Sequence, residues 1–323
     1  MAQVITKSIG TGATYSTPTA WEAATPADLT ASDIIWKGEA TNGIYPALTF
    51  AGPTTDATRY CWLTAAPGHA YDPRTGFGAR VAVSNATCCT IGLVGTRIEG
   101  FGFVRTTGTG NVVDINSTSV VLKRCVAICT HALVVGAMVG FFRQAGAPVL
   151  EHCIAIGGGV DDQGMSIGFD GNAGTMTARH CIAYNVKGLA AGNGHGFEDV
   201  ACVNCLSLES KTADYVAGSV TTSGSSDATG DPAGMDSQVA ADIWQSPTTF
   251  DFRLLKAATD LIGLGTVISG VAQDFVGAPI DATPDVGAYQ FTPTPSVGRR
   301  YGEGIGMGRA DPWHGTVGIK TRA

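Results

Sequence analysis

The sequence predicts an all-β protein, a right-handed parallel β-helix, and three observations lead there. The first is a repeat. Val120-Val-Leu-Lys-Arg-Cys-Val-Ala-Ile128 is followed by Pro148-Val-Leu-Glu-His-Cys-Ile-Ala-Ile156 and Met176-Thr-Ala-Arg-His-Cys-Ile-Ala-Tyr184, so that Cys125, Cys153 and Cys181 are each 28 residues apart. The second is another ladder at the same step: Gly136 to Phe141, Gly164 to Phe169 and Gly192 to Phe197 all read Gly-x-x-x-Gly-Phe. A fixed period of this size signals stacked units. The third is the texture inside each unit, which alternates on a period of two and is rich in Val, Ile and Cys, with glycine between. That excludes helical repeats and favours short strands separated by turns. A unit of so few strands cannot bury its own apolar face, but stacking gives each strand a partner about 4.8 Å above and below. Cys125, Cys153 and Cys181 are then one interior column, and Phe141, Phe169 and Phe197 another.

Composition agrees. The chain has 323 residues, 44 glycines, 15% charged residues and a formal charge of −7. A solenoid grows in one dimension and escapes the usual size limit of a single core. The negative charge argues against nucleic acid as a partner. Met1-Ala-Gln-Val-Ile-Thr-Lys7 has no apolar run of signal-peptide length, and no later stretch is long and apolar enough for a membrane span. The nine cysteines are odd in number. Stacked one coil apart, they read as small interior hydrophobes of a protein folded in a reducing cytoplasm. Cys202-x-x-Cys205 and Cys125-x-x-x-Cys129 have ligand-like spacing, but no second pair accompanies them. Cys205 follows Cys181 by 24 and continues the column. No metal and no cofactor is expected.

Residues 1–33 read as an N-terminal helical cap. Thr19-Ala-Trp-Glu22 has the form of a capping box, with Pro18 and Pro26 on either side. Trp21 and Leu29 would cover the apolar end of the first coil and its open strand edges. Residues 34–291 form the β-helix. Asp33 to Gly38 and Tyr60 to Ala65 are its first strands, with Trp36 and Trp62 stepping by 26. Arg80 to Val83 and Arg97 to Phe103 follow, and Phe101, 24 before Cys125, extends the cysteine column upward. Residues 209–250 break the pattern with a polar excursion from Ser219 to Gly234. Strands resume at Phe250 to Leu255, Asp274 to Val276 and Pro284 to Phe291. From Thr292, Thr-Pro-Thr-Pro-Ser opens an extended, Gly-rich C-terminal arm with a net charge of +3. It has too few apolar residues to fold alone. Its charge suits an acidic neighbour, and Arg299, Arg300, Tyr301, Arg309, Trp313, His314 and Arg322 are its interface candidates.

On these residues the chain resembles the pectate-lyase-like group of right-handed parallel β-helix proteins over roughly residues 34–291. Asp251-Phe-Arg-Leu254, Asp274-Phe275 and Pro284-Asp-Val-Gly-Ala-Tyr289 are similar to the terminal coils of many repeat proteins of that group. Ala257-Ala-Thr-Asp-Leu-Ile262 departs from the Ser-Pro-Ala-Ile-Asp-like stretch usual there. The opening Gly10-Thr-Gly-Ala-Thr-Tyr-Ser-Thr17, with Trp21 soon after, looks like the start of β-helical proteins encoded by bacteriophages. This architecture serves lyases, hydrolases and viral spikes alike, so the resemblance implies a fold more than an activity.

Candidate catalytic residues are few. Gly194-His-Gly196 with Asp161-Asp162 upstream resembles the elements of polygalacturonase-like hydrolases, whose chemistry needs carboxylates on either side of a glycosidic bond. The repeat places His195 in the column of Ile167 and Val139, however, makes Gly196 a repeat glycine, and sets Asp161 out of register with both. Asp170 and Glu198 do share a column, one coil apart. Stacked acids could be a retaining pair or a Ca²⁺ site, but two outward acids on a solvated face is the plainer reading.

The expectation is therefore a structural virion protein of a bacteriophage or phage-like particle, a capsid-decorating, head-spike or tail-attached protein rather than an enzyme. The resemblance implies a homotrimer. The arm would dock on capsid or tail subunits, with host surface glycan as a further partner and no nucleic acid or membrane. The chain would be made in the host cytoplasm without a signal peptide and end in the virion. A tailspike-type polysaccharide depolymerase is the alternative. A glycan-binding module using Tyr71, Phe77 and Trp244 is the third option.

Overall fold

The computed structural model describes residues 2–129, 138–157, 165–187, 194–227, 229, 235 and 237–291. Among them, three parallel sheets of nine, eight and seven strands wind around one interior. Wall 1 begins with Gln3–Ile9 and Ile34–Ala40 and runs through Val121–Lys123, Val149–Glu151 and Met176–Arg179 to Ser219–Thr221. Wall 2 runs from Gly43–Tyr45 through Val126–Cys129, Ile154–Gly157 and Ile182–Tyr184 to Gly224–Ser225. Wall 3 runs from Leu48–Phe50 through Met138–Ala145, Ile167–Asp170 and His195–Glu198 to Ala213–Val216. Each strand pairs with its counterpart one coil away, which is the β-helix expected from the repeat.

The register puts the expected columns inside. Val126 opposes Gly102 and Ile154, and Ile182 opposes Ile154 and Leu206. The preceding residues therefore stack as Phe101, Cys125, Cys153, Cys181 and Cys205, all fully buried. They occupy the corner between walls 1 and 2. One residue earlier the backbone is left-handed at Gly100, Arg124, His152, His180, Asn204 and Thr222. That single residue makes the sharp turn, aims its own side chain outward and swings the next side chain in. Left-handed backbone is unfavourable for side-chain-bearing residues. Here each corner amide is held by the next coil: Arg124 N–H donates to Glu151 O at 2.9 Å, His152 N–H to Arg179 O at 2.9 Å and His180 N–H to Val203 O at 3.0 Å.

In wall 3, Phe141, Phe169, Phe197 and Tyr215 stack with ring centroids 5.0, 4.6 and 5.2 Å apart. The glycine before each Phe also faces inward. A Cβ on Gly168 would come within 2.6 Å of Gly196 O and contact Ala183 and Ala155, and one on Gly196 would strike Ser207 Oγ. The Gly-Phe half of the repeat thus has a steric cause: walls 2 and 3 converge there, and only hydrogen fits.

The structure corrects the element boundaries in four places. Gln3–Ile9, expected within the cap, is the first strand of wall 1 and pairs along its length with Ile34–Ala40. The cap proper is the connection between them, with helices Pro18–Ala23 and Leu29–Ser32 burying Trp21 and Leu29 completely. Its N-cap is Thr17 rather than Thr19, because Pro18 takes the first helical position and Thr17 Oγ1 accepts from Ala20 N–H at 3.1 Å. Trp36 and Trp62 do not stack: Trp36 opposes Cys61 and Trp62 opposes Lys37, and a one-residue offset sends the two rings to opposite faces.

The fourth correction concerns the C-terminal part. Residues 209–225, expected to leave the coil, continue it through Ala213–Val216, Ser219–Thr221 and Gly224–Ser225, the last coil strand among the described residues, and the segments from Trp244 to Phe291 do not resume it. Trp244–Ser246 and Asp251–Leu254 form an antiparallel ribbon instead. This ribbon and the irregular chain after it lie over the outer face of wall 2. Val126, Ile128, Ile154, Ile156, Ile182, Tyr184, Leu206 and Leu208 pack there against Trp244, Phe252, Leu261, Val286 and Tyr289 in a second apolar core. The C-terminal arm, 292–323, lies outside the described residues, and with it Arg299, Arg300, Tyr301, Arg309, Trp313, His314 and Arg322.

Candidate functional site

Stacking of the Phe column holds the wall 3 strands in register, so their outward side chains align as well. Val139, Ile167, His195 and Ala213 form one outer column, and Phe142, Asp170, Glu198 and Val216 another. Both alignments follow the repeat. What the repeat did not reveal is that the two columns meet. His195 Nδ1 lies 2.9 Å from Glu198 Oε2. Strict alternation would place residues three apart on opposite faces. Because Gly196 and Phe197 both turn inward, residues 195 and 198 emerge on the same side. Asp170 sits one coil below Glu198. Burial raises its carboxyl above the usual range, and Glu198 and Asp199 add to this, against a 2.6 Å hydrogen bond from Asn172 N–H. A hydrogen-bonded histidine and carboxylate beside a second carboxyl are the side-chain types that acid–base chemistry uses. Asp161 and Asp162, the other members of the sequence-predicted set, lie outside the described residues.

A second concavity lies at the outer corner of walls 1 and 2, where no sequence pattern pointed. It is a cleft of about 320 Å³ floored by Glu99, Gly100 and Arg124 and walled by Tyr71, Asp72 and Tyr289. Its charges are internally matched. Arg74 grips Asp72 through Nε and Nη2 at 2.9 and 2.8 Å, and Arg124 pairs with Glu99. The pairing continues along wall 1. Glu99, Lys123, Glu151 and Arg179 stack as successive outward residues. The largely buried Glu151 bridges Lys123 at 2.6 Å and Arg179 at 3.2 Å. This ladder was visible in the sequence as the last residue of four successive wall 1 strands, once strands are aligned on the cysteines.

The aromatic platform expected for glycan binding is not available as such. Tyr71 and Trp244 are buried, Tyr71 by stacking over Gly102 and Trp244 within the second core. Phe77 alone of the three is exposed. Among the described residues no three His, Cys, Asp or Glu side chains converge as metal ligands. Cys202 and Cys205, which have ligand-like spacing, are buried in the coil interior, Cys205 as the last thiol of its column.

No family model matches the chain, and no curated protein matches it. Solved structures with a similar backbone are a pectin methylesterase in complex with a hexasaccharide (12% identity, TM-score 0.42, covering 77% of this chain and 98% of that one) and a pectate lyase (15%, 0.42, 90% and 98%). The pectin methylesterase of Aspergillus niger is a third (12%, 0.39, 74% and 92%). These are parallel β-helix proteins, and the likeness is one of fold.

Proposed function

We propose that the protein is a structural component of a bacteriophage or phage-like particle, a stiff β-helical element that decorates a head or is attached to a tail. The observation that supports this most is the destination of the repeat. Cysteine, glycine and phenylalanine at the 28-residue step all point inward and act in stacking. The periodicity therefore serves rigidity, as expected of a spacer or shell part. Nine free, buried thiols suit assembly in a reducing cytoplasm. The similarity of Gly10 to Thr17 and Trp21 to the start of phage-encoded β-helices supports reading the particle as a phage. A homotrimer, and docking of the basic arm on capsid or tail subunits, belong to the same proposal. Mass spectrometry of gradient-purified particles, with antibody labelling in electron microscopy, tests it. The expected outcome is a fixed copy number per particle. Complete loss of the protein on purification would sink the reading.

A second reading rests on the His195–Glu198 contact with Asp170 beneath it. On a tailspike such a group would cleave a polysaccharide. Incubation with host surface polysaccharide separates the two. No new reducing ends are expected from the native protein. Products that vanish in His195→Ala and Glu198→Ala would replace the structural reading with the enzymatic one.

A further inference from the structure

The chain after the ribbon is fastened to the coil by a short row of polar contacts along the left-handed corner. Asn204 is the hub. Its Nδ2 donates to Thr266 O at 2.6 Å, its Oδ1 accepts from Thr266 N–H at 2.7 Å, and its backbone carbonyl accepts from Gly287 N–H at 2.8 Å. Thr222 and Thr266 share a hydroxyl contact at 2.8 Å. The two corner residues before Asn204 in the column are His152 and His180. Their rings stack at 4.9 Å and 15°, both buried. His152 Nδ1 lies 3.1 Å from Ala288 O, and His180 Nε2 lies 3.0 Å from Asn204 Nδ2. Since a carbonyl can only accept, His152 carries its proton on Nδ1. Since an amide nitrogen can only donate, His180 is unprotonated on Nε2. His152 Nε2 and His180 Nδ1 have no hydrogen-bond partner among the described residues.

We propose that residues 255–291 are an acid-released cover, latched to the corner through Asn204 and unlatched when the His152–His180 stack takes up protons. A proton on His180 Nε2 sets two N–H donors against each other at the contact with Asn204, the residue that holds Thr266. A proton on either ring also puts positive charge in a stack with no facing carboxylate in contact. The surroundings set the direction. Around His152 stand His180, Arg124 and Lys123, all unfavourable to a cation. Around His180 stand Glu151 and Cys205, with the backbone at Asp285 and Gly287, which oppose burial only in part. Burial, then the neighbouring ring, lowers His152 to about 3, and burial lowers His180 as well. Opened, both rings titrate near the ordinary histidine value of about 6.5. The open form then binds more protons than the closed one, so closure is fully favoured above about pH 6.5 and weakens as pH falls below it. Each proton taken up on opening shifts the equilibrium by up to about ten-fold per pH unit.

Hydrogen exchange of the full chain from pH 7.5 to 4.5, corrected for the intrinsic rate, reads this out. Amides at 261–291 should lose protection by about ten-fold or more per pH unit below about pH 6 while wall 1 amides keep theirs. His180→Gln retains a carbonyl that can accept from Asn204 and does not titrate; with only His152 left to take up a proton, its cover should lose protection less steeply than the native one, by at most about ten-fold per pH unit. Cover amides that stay protected throughout, or that exchange together with wall 1, overturn the proposal, and so does a folded His180→Gln variant whose loss of protection is as steep as the native one. If that variant does not fold, the native profile alone decides.

Discussion

Replacing Gly168 with alanine would set a methyl group 2.6 Å from the carbonyl oxygen of Gly196, a backbone atom of the next coil that cannot swing aside. A cost of about 1–3 kcal/mol is expected, read as a lower urea midpoint. Phe169→Ala removes an inner ring of a four-ring stack and leaves a void between coils, for about 3–5 kcal/mol. The thiols give a test without mutation. All nine cysteines are buried, and burial pushes Cys61 and Cys88 up to about 12 and Cys153 and Cys181 well above the usual range. A thiol reagent at pH 8 should label none in the native protein and nine in denaturant. At this scale the interior was legible, because identical residues recurring at one step must sit on one another. The His195–Glu198 contact was not. Reading it required knowing that Gly196 and Phe197 face the same way, and period-two alternation says the opposite.

Among elements, wall 1 and wall 2 differ in a way already written in their sequences. The middle wall 1 strands, from Arg97–Glu99 to Met176–Arg179, end on charged residues, and the wall 2 strands beside them, Val126-Ala-Ile-Cys129, Ile154-Ala-Ile-Gly157 and Ile182-Ala-Tyr184, carry no charge. A strand apolar on both sides is covered on both sides. That run marked the existence of a cover, although nothing local named which segment supplies it. Asp251 to Leu254 and Pro284 to Phe291 have strand-like composition and were expected to continue the coil. The first pairs in the antiparallel ribbon with Trp244–Ser246, and the second is held by Asp274 and Asp285, whose carboxylates accept from the Ala278, Gln290, Gly263 and Phe291 backbone amides and so fix an irregular path. Glu151→Gln tests the wall 1 ladder. Lys123 and Arg179 can both turn to water, so a loss of only about 1–2 kcal/mol is expected, and it should shrink in high salt.

For the molecule as a whole, the prediction is that the outer wall 3 acids are dispensable. Asp170→Ala and Glu198→Ala should leave the circular dichroism spectrum and, on the structural reading, the incorporation into particles unchanged. A particle-assembly or infectivity defect of ten-fold or more in a folded Glu198→Ala protein would contradict that expectation. Removing residues 237–291 should have the contrary effect. It bares the apolar side of wall 2, and soluble yield should fall sharply, with the remainder binding a hydrophobic dye.

The order of synthesis sharpens that last point. The oily stripe of wall 2 is complete once Leu208 has left the ribosome, yet the segment that shields it is translated afterwards. Each nascent chain must therefore wait, coiled but unshielded, while some eighty further residues emerge. In a crowded burst of expression, neighbouring nascent chains would present the same greasy flank to one another. Slow translation, cold growth or a chaperone that binds apolar strands should raise the yield of this protein more than mutations that stiffen its coils.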